Sequence, residues 1–160
     1  MANNYTSWSE QFSFNSKDEA NWLKSVLCLN ISDYPEYDNS DLDEGEIISK
    51  ILLEKFGINI DPYDAENFPG FGVEFSDDDS DVVLYQEEYG NVEAAVIVMQ
   101  AFLKKFESTD YFKIEWADTC SRPRAGEFGG GAVFVTANNV EWMSTSNWVE
   151  NMRKKHLENK

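Results

Sequence analysis

Between Phe56 and Leu103 this chain has no lysine or arginine at all. Histidine occurs once, at His156, and cysteine twice, at Cys28 and Cys120. One terminal histidine and two isolated thiols do not make a zinc set, which needs four closely grouped ligands. A Cys120–His156 dyad has no local sequence support, so both cysteines are expected as reduced, partly buried side chains. No apolar run approaches the ~18 residues of a membrane span; the longest, 94–99, sits inside an amphipathic pattern. The first nine residues are polar and lack the apolar stretch of a secretion signal. These absences point to a cytoplasmic protein with no membrane attachment.

What the chain has in abundance is acid. Its 160 residues carry 30 Asp and Glu against 13 Lys and Arg, for a net charge of −17. Hydrophobic residues at 42% and aromatics at 14% are too many for a disordered acidic tail and enough for the core of a single domain over 1–160. The charge is regional. Residues 1–24 hold three acids and two bases, and residues 104–160 hold eight acids and nine bases. Residues 25–103 hold nineteen acids against only Lys50 and Lys55, so this middle stretch alone accounts for the net −17. Acid added for solubility or salt tolerance would be spread over the whole surface.

Periodicity and capping signals outline the fold. Residues 11–14 alternate polar and aromatic and predict a short strand. Ser16 and Glu19 match a capping box opening a helix over 17–28, with Ala20, Leu23, Val26 and Leu27 on one face. A polar connection over 30–45 leads to a second helix over 44–56, closed by Gly57. Residues 58–72 hold two prolines and two glycines and predict a loop, with a short extended piece at 58–60. Residues 73–75 and 82–86 predict a hairpin whose tip is Ser76-Asp77-Asp78-Asp79-Ser80-Asp81. Asn91 caps a helix over 92–106, whose Lys104 and Lys105 complement its C-terminal dipole. Strands follow at 111–116 and 132–136, separated by a long loop over 120–131. A short strand at 140–143 and a last helix over 147–156, capped by Thr145 or Ser146, complete the chain. The expected fold is α+β: an antiparallel sheet with helices on one face in the ferredoxin-like order β-α-β-β-α-β. To that order are added an inserted second helix and a C-terminal extra strand and helix.

No catalytic set stands out, and no cofactor or metal is called for. Asp77, Asp79, Asp81 and Glu88 fall at positions 1, 3, 5 and 12 of an EF-hand frame, but position 6 is Val82 instead of glycine and 82–85 reads as strand. Carboxylate pairs at a catalytic spacing are inevitable among thirty acids and carry no information. The string Ser121-Arg122-Pro123-Arg124-Ala125-Gly126-Glu127-Phe128-Gly129-Gly130-Gly131 is a secondary candidate. Arg122 and Arg124, with Glu127, read either as an anion cradle or as guanidinium groups bound to this protein's own carboxylates; the second is the expectation. The glycine triplet lets the backbone approach something closely or forms a bulge at a strand entry. Of the five tryptophans, most are expected in the core; Trp142, Met143 and Trp148 offer the alternative of an exposed interface.

Three functions fit this pattern. In the first, a non-enzymatic inhibitor displays carboxylates on a rigid surface and occupies the basic nucleic-acid groove of a partner nuclease, without binding nucleic acid itself. The acids expected to make that contact are Asp33, Glu36, Asp38, Asp41, Asp43 and Glu44 in the connection, Asp77, Asp78, Asp79 and Asp81 at the hairpin tip, and Glu87 and Glu88 beyond it. Packing like charges this densely opposes folding, an arrangement easier to understand if the surface meets a basic protein. In composition alone the chain is similar to small phage and mobile-element inhibitors of restriction or CRISPR nucleases. The second function is an antitoxin or immunity protein blocking a basic toxin nuclease, governed by the same steering physics. The third is a small metal- or anion-binding enzyme domain built around the 122–131 loop, which requires a concave pocket of perturbed carboxylates.

Overall fold

The computed structural model describes residues 3–89 and 91–159; Met1, Ala2, Gly90 and Lys160 lie outside them. The fold is α+β, with a six-stranded antiparallel sheet. Its strands are β1 (Asn4–Ser13), β2 (Gly72–Phe75), β3 (Asp81–Gln86), β4 (Phe112–Cys120), β5 (Gly129–Val135) and β6 (Val140–Ser144). The helices are α1 (Lys17–Leu27), α2 (Glu44–Phe56), the single-turn α3 (Pro62–Ala65), α4 (Val92–Lys105) and α5 (Thr145–Glu158). Strand order across the sheet is β2-β3-β1-β4-β5-β6. The first four strands with α1 and α4 are a ferredoxin-like arrangement, which β5 and β6 extend past β4.

One face of the sheet carries the core. Register sets Phe12 opposite Val82, Phe112 opposite Val135 and Ile114 opposite Val133, and all six are buried. Leu23 and Val26 of α1 and Met99, Phe102 and Leu103 of α4 are buried with them. The Phe102 ring meets Phe12 edge-on at 5.3 Å. The helix starts follow their caps. Ser16 accepts from the Glu19 amide, and the buried Glu19 carboxylate accepts from the Asn15 amide at 2.7 Å. Asp43 and Glu46 form a full reciprocal capping box at α2, and Gly57, at φ 68°, ends that helix in the left-handed conformation.

Several boundaries differ from expectation. β1 begins at Asn4, not at residue 11, because its outward side chains are polar and leave no apolar alternation to read. β4 runs on to Cys120, and β5 begins at Gly129, so the glycine triplet lies inside a strand and the loop shrinks to 121–128. β5 and β6, expected at 132–136 and 140–143, are both paired in the sheet beyond β4. α5 starts directly after β6, with Ser144 as its cap instead of Thr145 or Ser146. Within the expected loop, Pro62–Ala65 makes a helical turn capped by Asp61. The 30–45 connection contains two 3-10 turns, at Ile31–Asp33 and Pro35–Tyr37. Cys28, expected to be partly buried, is exposed because it falls on the C-cap of α1, past the last core-facing turn; Cys120 is half-buried.

β1 divides its pairing. Asn4 to Ser7 pair with β4, whereas Trp8 to Ser13 pair with β3. Where the β1–β4 ladder stops, a hollow of about 350 Å³ opens, lined in part by Glu10, Phe12, Tyr111 and Lys113. Lys113 bridges Glu10 at 3.4 Å and Glu115 at 2.7 Å there.

Candidate functional site

The twelve acids read from the sequence fall into three places, and all remain at the surface. Ten are exposed; Asp79 and Asp81 are half-buried.

The hairpin tip is the most ordered of the three. The Asp78 carboxylate accepts from the Ser80 hydroxyl at 2.7 Å, the Ser76 hydroxyl at 3.0 Å and the Ser80 amide at 3.1 Å. Asp81 accepts from the hydroxyls of Ser13 at 2.6 Å and Ser80 at 2.9 Å. These hydroxyl bonds hold both carboxyls below the usual aspartate range: Ser80 contributes most at Asp78, and Ser13 then Ser80 at Asp81. The turn is closed by the Asp79 amide donating to the Ser76 carbonyl at 3.0 Å and by Asp79 adopting φ 58°, a conformation aspartate tolerates. Lys24 of α1 bridges Asp79 and lies 5.1 Å over the Phe75 ring. Asp79 is thus matched by a base within the molecule, while Asp77, Asp78 and Asp81 make no ion pair among the described residues.

The second group runs along the connection into α2. Glu36 bridges Lys55 at 2.9 Å, which lowers the Glu36 pKa and raises that of Lys55 through the same hydrogen bond. Tyr37 donates to Glu54 at 2.7 Å, raising the phenol's pKa, and its ring sits below both Lys50 and Lys55. The only two bases of the middle stretch are therefore gathered on one tyrosine. Asp43 spends one oxygen on the Glu46 amide, and Glu44 occupies the first turn of α2, where the helix dipole favours acid. Asp33, Asp38, Asp41, Asp43 and Glu44 have no ion-pair partner among the described residues.

Glu87 and Glu88 form a separate group at the far end of β3. Six residues of strand separate them from the tip, a span of roughly 20 Å. Their backbones are tied to β1: Thr6 donates its amide to the Glu88 carbonyl at 2.9 Å, and Ser7 its hydroxyl to the Glu87 carbonyl at 2.7 Å. Glu88 shares a hollow of about 500 Å³ with Asp118, Glu127 and Phe128, so the structure brings Glu127 of the secondary loop to an acid of the main set.

Arg122 and Arg124 are both exposed, and neither makes an ion pair among the described residues. This corrects the expectation that they bind the protein's own carboxylates. The 121–128 loop carries the guanidinium groups into solvent, and Asp118 on the adjoining strand accepts the Thr6 hydroxyl at 2.8 Å instead. The glycine triplet serves packing: a Cβ on Gly131 would come within 3.0 Å of the Trp116 indole and the Met143 carbonyl, and one on Gly130 would meet the Trp116 carbonyl.

Sequence reading missed Glu74. It projects from β2 on the open side of the sheet and, with Glu87, flanks a hollow of about 630 Å³ that also includes Val83 and Tyr85. The Val73-Glu74-Phe75 alternation held the signal. Gly72 makes room for the Tyr85 ring, which a Cβ there would strike. No group of three His, Cys, Asp or Glu among the described residues is arranged to hold a metal ion. No helix among them is long and apolar enough to cross a membrane. No family model, curated protein or solved structure matches this chain.

Proposed function

We propose that this protein is an inhibitor that acts by occupancy, without turnover, placing its acidic surface in the basic nucleic-acid groove of a partner such as a phage-defence nuclease in the host cytoplasm. One observation carries the reading. Of the twelve acids, only Glu36 and Asp79 are ion-paired among the described residues, so the middle of the chain offers a largely uncompensated anionic surface. The serine bonds around Asp78 and Asp81 support it further. They fix carboxylates in place and keep them ionised, as a substitute for a rigid phosphate backbone requires.

The hairpin tip and the connection into α2 are the leading contacts. Glu87 and Glu88, at the far end of β3, reach the same partner only if its groove spans about 20 Å, the length of that strand. Charge of this density also accelerates encounter with a basic protein, an effect that weakens as salt rises.

The test is capture of the partner from host lysate, followed by competition. Duplex DNA should displace the captured protein. So should raising salt from about 10 mM to physiological strength, which shortens the screening length from about 30 Å to about 8 Å. Reversing Asp77, Asp78 and Asp79 to Lys should abolish inhibition while the circular dichroism spectrum stays unchanged. A partner that binds DNA and this protein together, or binding indifferent to salt, overturns the reading.

A further inference from the structure

Nine of the thirteen large apolar side chains that stand exposed belong to residues 104–160, the stretch in which acids and bases nearly balance. They gather toward the β6 edge, whereas the acidic hairpin joins the two strands at the opposite edge of the sheet. None of the fourteen residues of α5 is buried. A helix of that length is marginal in water without a packed face. α5 carries an apolar face that nothing among the described residues buries: at helical spacing Trp148, Val149 and Met152 form a stripe, 61%, 58% and 45% exposed, with Lys155 beside it and Glu150 and Glu158 on the far side. β6, the strand that leads into α5, is paired on one side only.

The same edge holds a complementary surface. On the open side of β4, β5 and β6 lies a hollow of about 340 Å³ with an apolar floor that includes Ala132, Phe134 and Met143; Glu141 lies on its rim, as does Glu115, which is bridged by Lys113. A basic-flanked apolar stripe thus occurs on the same molecule as an apolar hollow whose one acid without an ion pair among the described residues is Glu141.

We propose that two copies of this chain pair through this edge about a two-fold axis, each laying α5 across the β4–β6 hollow of the other. Trp148 and Met152 of one copy seat against Phe134 and Met143 of its partner, and Lys155 approaches Glu141. Area favours a second copy as the occupant. Five partly exposed side chains (Phe134, Met143, Trp148, Val149 and Met152) offer roughly 100 Å² each, about 500 Å² per copy, which a polar rim extends toward the ~800 Å² per partner of a stable interface. Charge favours it too. Two bodies of −17 repel wherever their acidic halves meet, and this edge is where they approach with least opposition. The contact is isologous and closes on itself, so it yields a dimer and no fibre.

Sedimentation equilibrium on the full chain tests the proposal. The expected mass is twice the 18.4 kDa of one chain. Association should tighten as salt rises, the reverse of the salt response expected for a basic partner, so the two ideas fail separately. Trp148→Glu with Met152→Glu should give monomer with an unchanged circular dichroism spectrum, since no α5 side chain is in the core. Met143→Glu, on the other surface, should do the same. Lys155→Glu should weaken the dimer severalfold, and Glu141→Lys added to it should restore it. A wild-type chain of 18.4 kDa at every concentration and salt overturns the proposal. So does a dimer that survives the α5 substitutions, or one indifferent to Met143→Glu.

Discussion

Replacing Gly131 by alanine is the smallest change that should loosen the sheet's outer edge. The added methyl would sit within 3.0 Å of two groups on different strands, the Trp116 indole from β4 and the Met143 carbonyl from β6. The carbonyl belongs to a backbone held in register, with Ala132 opposite Met143 and Gly131 opposite Ser144, so it moves only if β6 moves. The indole packs edge-on against Trp142 at 6.1 Å and cannot swing away without parting that pair. Overfilling a packed site of this kind costs about 1–3 kcal/mol. For a chain of this length each kcal/mol lowers Tm by roughly 2–4 °C, so the expected loss is about 2–12 °C by thermal melting. Hydrogen exchange should accelerate first in β6 and at the start of α5, where Thr145 ties the helix to Gly130 through bonds of 3.1 and 3.2 Å. A Tm within 1 °C of the parent, or faster exchange confined to α1 and α4, would refute the packing argument.

Three other outcomes follow from the same geometry. Ser80→Ala removes donors from both Asp78 and Asp81, so a carbon-detected NMR titration should show both carboxyl midpoints rising toward the ordinary aspartate value of about 3.9. Because those carboxyls are held low in the folded chain, the order they lend the hairpin is present above the ordinary aspartate range and is lost as pH falls through their lowered values; in the parent, the tip amides should broaden only on that acid side. Asp43→Ala breaks the reciprocal cap of α2 and should destabilise the fold by about 1 kcal/mol in urea melts, with Asp43→Asn nearly neutral. Lys24→Ala unmasks Asp79 and should strengthen binding to a basic partner, whereas Asp79→Asn should weaken it less than Asp77→Asn does.

The elements with local chemical punctuation were the ones legible in the amino-acid sequence. Ser16 with Glu19, Asn91, and Gly57 each marked a helix end where one occurs. The Val82–Leu84 alternation and its acidic turn yielded the hairpin. What escaped reading lay on the open side of the sheet. Ser7, Ser9, Gln11 and Ser13 face solvent along β1, so half the strand's period carries no hydrophobic mark. Glycines 129–131 imitate a loop because the fact that explains them, the nearness of Trp116 and Met143, is a tertiary one. The tryptophans divide for a similar reason. Trp8 is buried, but whether the stripe through Trp148 is covered depends on packing that periodicity does not encode. Among the candidate site residues, the sequence identified acids that stay at the surface, all but Asp79 and Asp81 exposed. It could not foresee that Lys24 crosses to Asp79, that Glu127 joins Glu88, or that strand length separates Glu87 from the tip.

The central position of β1 also bears on how the chain is born. Its neighbours on either side are β3 and β4, and the Asn4–Ser7 segment pairs with Ala117–Cys120, so the earliest strand of this sheet waits for the fourth. At translation rates of about 5–20 residues per second, roughly a hundred residues of delay keep the β4 flank of β1 open for about 5–20 s, and roughly seventy keep its β3 flank open for about 4–14 s. Through that interval its polar outward row keeps the nascent strand wet and shields it from pairing with neighbouring chains.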